Sequence, residues 1–418
     1  MSRSNQSLIA FRDRFYCAPE CLYFDGNSLG LLSKDAEASV LRVLEEWKTL
    51  AIDGWTAGAP PWFHAAEELA RLQAPLVGGQ PDEVIVHGST TVNEHLLLAS
   101  FFRPEDDAHG RRRKLLIDEL NFPSDRYAAE SFLRLKGADP QDALVVVPSR
   151  DGRTIAEEDI IAALSDEVAV VLLPAVLYRS GQLLDIGRIT RAAHEAGAYA
   201  GFDLSHSAGV VPHRLHDDEV DFAFWCTYKY LNSGPGGVAS LFVHRNRQHL
   251  APGLAGWFGS DKERQFDMAP QFTPAAGAGA WQVGTPHLLS MAALEGALRI
   301  HREAGIERIR ARSLELTAYL IEGVDTRLAR YGFALGTPRE PERRGGHVAL
   351  EHAEAIRINA ALKEHSVVPD FRYPNVIRLA PVPLYIDFAD IDRLIEIIVT
   401  IMESGSYRAH SGERGTVA

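Results

Sequence analysis

Between residues 84 and 243 short apolar runs take turns with amphipathic stretches, and the apolar runs are unbroken. "RKLLIDE", "DALVVVPS", "VAVVLLPAV", "AYAGFDLSH" and "VDFAFWCTY" do not switch between polar and apolar residues. A strand with one face in water alternates; a strand covered on both faces does not. Between these runs lie "PSDRYAAESFLRLKG", "IAEEDIIAALS" and "IGRITRAAHEAG", whose apolar residues recur at helical spacing. The order predicts an α/β fold, a mostly parallel sheet with helices on both sides. After about Gly284 the pattern changes. Long helical stretches lead to two strand candidates, "GHVALEH" and "NVIRLAP", each with a helix nearby. That predicts a smaller α+β domain.

The bulk properties narrow the function. The formal net charge of −13 argues against nucleic acid as the main partner. The one dense basic run, "GRRRK", reads as a solvated loop. The three cysteines, Cys17, Cys21 and Cys226, form neither a disulfide framework nor a complete zinc set, and fit a reducing cytoplasm. The start, "MSRSNQSLIAFRDRF", lacks the apolar core of a signal peptide, and no apolar stretch is long enough to span a membrane.

In open α/β sheets ligands bind beyond the carboxyl ends of the strands. Four polar segments fall there: "GSTTVN" (Gly88 to Asn93), "NFPSD" (Asn121 to Asp125), "FDLSHSAG" (Phe202 to Gly209) and "TYKYLNSGPGG". Singly, each has an ordinary structural explanation. Ser and Thr cap helices, Asp203 could cap a turn, His206 could be a hydrogen-bonded core histidine, and Lys229 could hold its charge in solvent. Together they meet three demands of pyridoxal phosphate: a helix N-terminus for the phosphate, a carboxylate for the pyridine nitrogen and an amine for the aldehyde. Lys229 is one of only seven lysines, set between Tyr228 and Tyr230.

With those residues in hand, the chain resembles the fold-type-I pyridoxal-phosphate enzymes and, within them, the kynureninases. "YFDGNSLG", "TVNEHLLLASFF", "FPSDRYAAES", "GFDLSHSAG", "WCTYKYLN", "GWFG" and "RYPNVIRLAPVPLY" carry the likeness, in the family's order and over nearly the whole chain. The resemblance implies pyridoxal 5′-phosphate as cofactor, no metal, and hydrolytic cleavage of the β,γ carbon–carbon bond of kynurenine or 3-hydroxykynurenine in tryptophan catabolism. Lys229 matches the lysine that carries the cofactor, Asp203 the partner of the pyridine nitrogen, and His206 its neighbour. Thr90 and Thr91 match positions at the phosphate. Tyr228 matches a phosphate contact that also relays protons. Phe122 matches the ring stacked on the cofactor, with Asp125 nearby. Trp257 matches a tryptophan that reaches the phosphate from the neighbouring subunit of a homodimer. Arg378 matches the arginine on the substrate α-carboxylate, where a planar fork fits. Asn27 and Ser28 match the substrate-side segment. Trp55 and Thr285 fall at positions near the substrate ring, and Thr285 also counts among the cofactor positions.

The implied division is an N-terminal segment over 1–55 that contributes to the smaller domain and the active site, a cofactor domain over 56–300, a smaller domain over 301–407 and an unstructured tail over 408–418. Ser260, Pro174 and His287 depart from common family residues and bear on the choice of ring substituent. Three rival readings remain at this point. One is a kynureninase-like enzyme acting on a modified kynurenine; another is an aminotransferase, desulfurase or β-decarboxylase of the same superfamily. The third is a cofactor-binding regulator, which would have no use for Arg378.

Overall fold

The apolar runs form one seven-stranded sheet in the computed structural model, which describes residues 8–18, 20–104 and 110–413. Its strands are β1 (Val84–Val86), β2 (Lys114–Asp118), β3 (Leu144–Val147), β4 (Val168–Pro174), β5 (Tyr199–Asp203), β6 (Phe222–Trp225) and β7 (Ser240–Val243). The spatial order is β1-β7-β6-β5-β4-β2-β3. Every pairing is parallel except those of β7, which runs antiparallel to both β6 and β1. All residues of β4, β6 and β7 are buried, which is why their sequences carry no polar alternation.

The central strands β4, β5 and β6 end in register: Pro174 lies beside Asp203, and Asp203 beside Phe224. The loops leaving β1, β2, β4, β5 and β6 therefore emerge on one edge. That edge is the crevice where open α/β sheets bind ligands.

A second sheet of four strands, β8 (Ala334–Leu335), β9 (Val348–Glu351), β10 (Asp370–Arg372) and β11 (Val376–Leu379), is wholly antiparallel in the order β10-β11-β9-β8. The molecule has two apolar cores. One runs from Ala65 to Leu298; the other joins the C-terminal region to Leu8, Phe11, Phe15, Leu22 and Phe24. Both cores draw on the helix Leu288–Ala304, the first through Leu294 and Leu298, the second through Ile300 and Ala304. The chain from 408 does not begin an unstructured tail: Ser406–Ala409 is a helical turn and His410 pairs with Glu364 at 3.4 Å. Residues 414–418 lie outside the described ones. Among the described residues no helix is long and apolar enough to cross a membrane.

Candidate active site

Lys229 lies four residues beyond the end of β6, in the turn that follows the strand. Its Nζ is 3.0 Å from Nε2 of His206, in the turn after β5. Burial first, and then the nearby Lys229, hold the His206 imidazole well below its ordinary pKa, so the ring is neutral and carries a single N–H. The Nζ also sits 5.8 Å from the Phe122 ring centroid and 6.0 Å from that of Tyr228.

Around this amine lies a cavity of about 300 Å³ lined by Thr90, Thr91, Phe122, Asp125, Asp203, Tyr228 and Lys229, together with Ser89, Ser124, Ser205, Gly236 and Gly237. Each wall has a local cause. Ser89 is the N-cap of the twelve-residue helix Thr90–Phe101, and its side chain makes no capping bond. The first N–H groups of that helix and the hydroxyls of Thr90 and Thr91 are the kind of donors that suit an anion, and both threonines line the cavity. Gly88 has φ +60, and a Cβ there would sit 2.8 Å from Asn93 Oδ1, so the turn into the helix requires glycine. Phe122 precedes the helix Pro123–Leu135, is 37% exposed and meets Tyr178 edge-on at 5.1 Å.

Two buried carboxyls, Asp203 and Asp125, line the cavity. Asp203 accepts from the Ser205 N–H at 2.8 Å; burial raises its pKa and the Lys229 charge opposes the rise. Asp125 is pushed well above the usual carboxylate range by burial and then by Asp203, and its Oδ2 has no partner among the described residues. A third carboxyl, Glu94, one turn into the Thr90–Phe101 helix, is fully buried with both oxygens unpartnered. Burial, followed by repulsion from Asp125 and Asp203, lifts it well above its ordinary range. An acid whose folded pKa is raised binds more protons folded than unfolded, so its stability contribution is lost as pH climbs above the unfolded value of roughly 4.3. Glu94→Gln is therefore expected to stabilise the apoprotein at pH 8, by on the order of 1 kcal/mol, and much less at pH 5. Urea denaturation at the two pH values reads the difference; equal effects at both would contradict the assignment.

Arg378 is on β11, away from that cavity wall and fully buried. The register of β10 and β11 sets Asp370 opposite Arg378. Nε and Nη2 of Arg378 donate to Asp370; Nη1 donates to the Tyr178 carbonyl at 2.6 Å and Nη2 to Ser28 Oγ at 2.9 Å. Arg372 reaches the same Asp370 at 3.2 Å, and its Nε has no partner. Asn27 is buried beside this group with both amide atoms unpartnered. The segment carrying Asn27 and Ser28 is pinned to the turn of Lys229: the Gly30 N–H donates to the Tyr228 carbonyl at 2.8 Å, and a Cβ on Gly30 would sit 2.3 Å from the Lys229 carbonyl oxygen.

Three anticipated residues are elsewhere in this chain. Trp55 and Thr285 line an apolar pocket of about 410 Å³ with Trp47, Ile52 and Trp62. Trp257, 42% exposed, lines a further cavity with Arg264 and Phe272. The two cavities are joined through the ring of Phe258, next to Trp257, which lies tilted at 40° against Trp55 with centroids 5.9 Å apart. Sequence reasoning missed Asp370, Arg372, Glu94 and Tyr178. An acidic residue two positions before a basic one in the short strand "DFR" was the available signal for Asp370.

The residues around Lys229 suit pyridoxal phosphate. They offer an anion-binding helix end, an amine, an aromatic face and a buried carboxylate that gains from a cation. One cluster outside the site also has a metal-like composition: ligand atoms of Glu83, His216 and His244 lie within 4.8 Å of one another. Its groups already bond within the protein. Glu83 takes His216 and the Arg245 N–H, and His244 takes the Asn246 N–H and meets the His216 carbonyl.

Comparison with known proteins accords with this geometry. A family model described as the kynureninase C-terminal domain matches residues 309–398. The kynureninase of Geobacillus thermodenitrificans (strain NG80-2) is 55% identical over 98% of this chain and 94% of its own length. That of Bacillus thuringiensis subsp. konkukian (strain 97-27) is 53% identical over the same shares. Among solved structures, the apo cysteine desulfurase from Thermococcus onnurineus NA1 superposes with a TM-score of 0.80 at 16% identity, covering 96% of this chain and 100% of that one. A C-DES mutant with glycine covalently linked to its PLP cofactor gives 0.79 at 18%, covering 93% and 98%. These two share the fold.

Proposed function

This chain belongs to the kynureninase family, and from that membership we propose how its residues divide the work. The enzyme is a pyridoxal 5′-phosphate-dependent hydrolase that splits kynurenine with water into anthranilate and alanine. Identity above one half over nearly the full length of curated kynureninases carries this reading. The cofactor, when bound, supplies an electron sink for bonds at the substrate Cα.

Lys229 anchors the cofactor through Nζ and, once its amine is freed by substrate, moves the Cα proton. The half-buried turn and the bond to His206 hold that amine at one place. Asp203 serves the pyridine nitrogen: of the three buried carboxyls at this site it alone has Lys229 as the main influence opposing the rise in its pKa and a backbone donor at 2.8 Å. Thr90 and Thr91 take the phosphate and Phe122 covers the ring. Burial pushes the Tyr228 phenol up, so it stays protonated and can donate toward phosphate or the substrate carbonyl. Arg378, with Ser28 and Asn27, receives the α-carboxylate.

Incubation of the cofactor-loaded enzyme with kynurenine, and separately with 3-hydroxykynurenine, is expected to release the fluorescent anthranilate or its hydroxy form together with equimolar alanine. No release from either, with cofactor bound, would contradict the reading and favour a modified kynurenine.

The active site is shared between two copies of a cytoplasmic homodimer. Two observations support this. Trp257, Trp55 and Thr285 line cavities separate from that of Lys229, and the helix Lys34–Leu50 and its continuation expose Trp47 (58%) and Ile52 (75%) beside the apolar pocket. The two cores then correspond to a cofactor domain and a smaller domain that includes the N-terminal segment. Hybrid dimers test the sharing. When Lys229→Ala and Trp257→Ala subunits are mixed, one site per hybrid has both an intact lysine and an intact tryptophan from its partner, so activity returns. If each tryptophan serves its own subunit, the hybrids stay as impaired as the parents.

A further inference from the structure

Beside His206 the structure buries a second imidazole. His347, in the turn that enters β9, is fully buried, and its ring lies 6.0 Å from that of His206 at an interplanar angle of 60°. Neither ring nitrogen of His347 makes a hydrogen bond of ordinary geometry, and Nδ1 of His206 is also buried without a partner. The Tyr178 and Arg179 carbonyls lie close enough to favour a charged His347, but burial outweighs them, with Arg378 and Lys229 acting in the same direction, and the ring is neutral. Two neighbouring buried imidazoles with open nitrogens are costly unless a water joins them. The packing makes room for this ring at a definite place: Gly181 has φ +75, and a Cβ there would sit 3.2 Å from His347 Nε2 and 2.9 Å from its carbonyl oxygen.

We propose that His347 is a positioning residue for the cofactor lysine: through one bridging water its ring takes up the Nδ1–H of His206 and so fixes the tautomer whose bare Nε2 addresses Lys229. The inference rests on Lys229 being the cofactor lysine. An imidazole's reactive nitrogen is set by the bond its other nitrogen makes. The β9 strand belongs to the smaller core, so the arrangement also ties the position of that domain to the lysine. The charged and titratable groups facing the pair are Lys229 from the β6 turn, Arg378 from β11, and Arg372, which acts on His206. The Tyr230 phenol lies beside the adjoining turn, 3.0 Å from where a Gly346 Cβ would be.

The test is a pH titration of the absorbance band of the cofactor–lysine linkage in the holoenzyme of wild type, His347→Phe and His347→Gln, with cofactor content and Tm measured alongside. An acceptor at Lys229 favours the protonated linkage. His347→Phe lets the His206 ring turn its N–H toward the lysine and is expected to lower the midpoint by about one pH unit. His347→Gln keeps an acceptor oxygen and is expected to restore most of the shift. A residue that only fills space would change Tm or cofactor content and leave the midpoint where it was. An unmoved midpoint in cofactor-loaded His347→Phe, or an equal shift in both variants, would overturn the proposal. Absence of the band in the wild type would instead overturn the assignment of Lys229.

Discussion

Lys229→Ala is expected to lower kynurenine turnover by on the order of 10³-fold or more, because in the proposed division of work one side chain both anchors the cofactor and moves the Cα proton. The loss should fall on kcat. Arg378, Ser28 and Asn27 remain in place to receive the substrate carboxylate, so substrate affinity should change far less. The structure also predicts that the fold survives. Lys229 is only half-buried and makes one side-chain hydrogen bond, to His206, which contrasts with the four donations of Arg378. Thermal denaturation of the variant should stay near wild type, while the absorbance of the cofactor–lysine linkage disappears. Normal turnover in Lys229→Ala would show that another amine does the work.

Arg378 should behave in the opposite way, with stability and binding both suffering. Its guanidinium is fully buried and holds Asp370, which is 2% exposed. Removing one partner of a buried ion pair typically costs about 3–5 kcal/mol, because the other charge is left behind. Arg372 and Ser28 also touch Asp370 and will offset part of that loss. Arg378→Ala is thus expected to lose roughly 2–4 kcal/mol in urea denaturation and to raise KM by about 100-fold. Arg378→Lys separates the two effects. It keeps the charge for Asp370 but not the planar fork, so stability should recover while KM stays raised by at least about tenfold. A KM near the wild-type value in Arg378→Lys would contradict the role given to the fork. Since Asp370, Ser28 and the Tyr178 carbonyl occupy the guanidinium before substrate arrives, the substrate carboxylate has to share or displace these contacts.

The strands of the large sheet were legible because burial on both faces removes the alternation of polar and apolar residues, and β4, β6 and β7 are buried throughout. Lys229, Asp203 and Thr90 were legible because strand ends in one parallel sheet share an edge. What escaped depended on information that a linear pattern lacks. Asp370 meets Arg378 only through the register of two antiparallel strands eight positions apart in the chain. Glu94 in "TVNEHLLLASFF" resembles a solvated helix position, yet it faces Asp125 and Asp203 with no exposure at all. His347 meets His206 because two cores dock, and no local spacing encodes docking. Trp55, Thr285 and Trp257 were placed by family likeness at the site, and their separate cavities within one chain give that likeness its physical meaning only if a second copy brings them to Lys229.

The central claim is that Lys229 carries the cofactor. Treating the loaded enzyme with sodium borohydride fixes the cofactor to whichever amine it is joined to, and peptide mass spectrometry then locates it. The account predicts the pyridoxyl mass on the peptide containing "CTYKYLN", on Lys229, in stoichiometric yield. The label on any of the other six lysines, such as the half-buried Lys262 above the Phe63 ring, would contradict it.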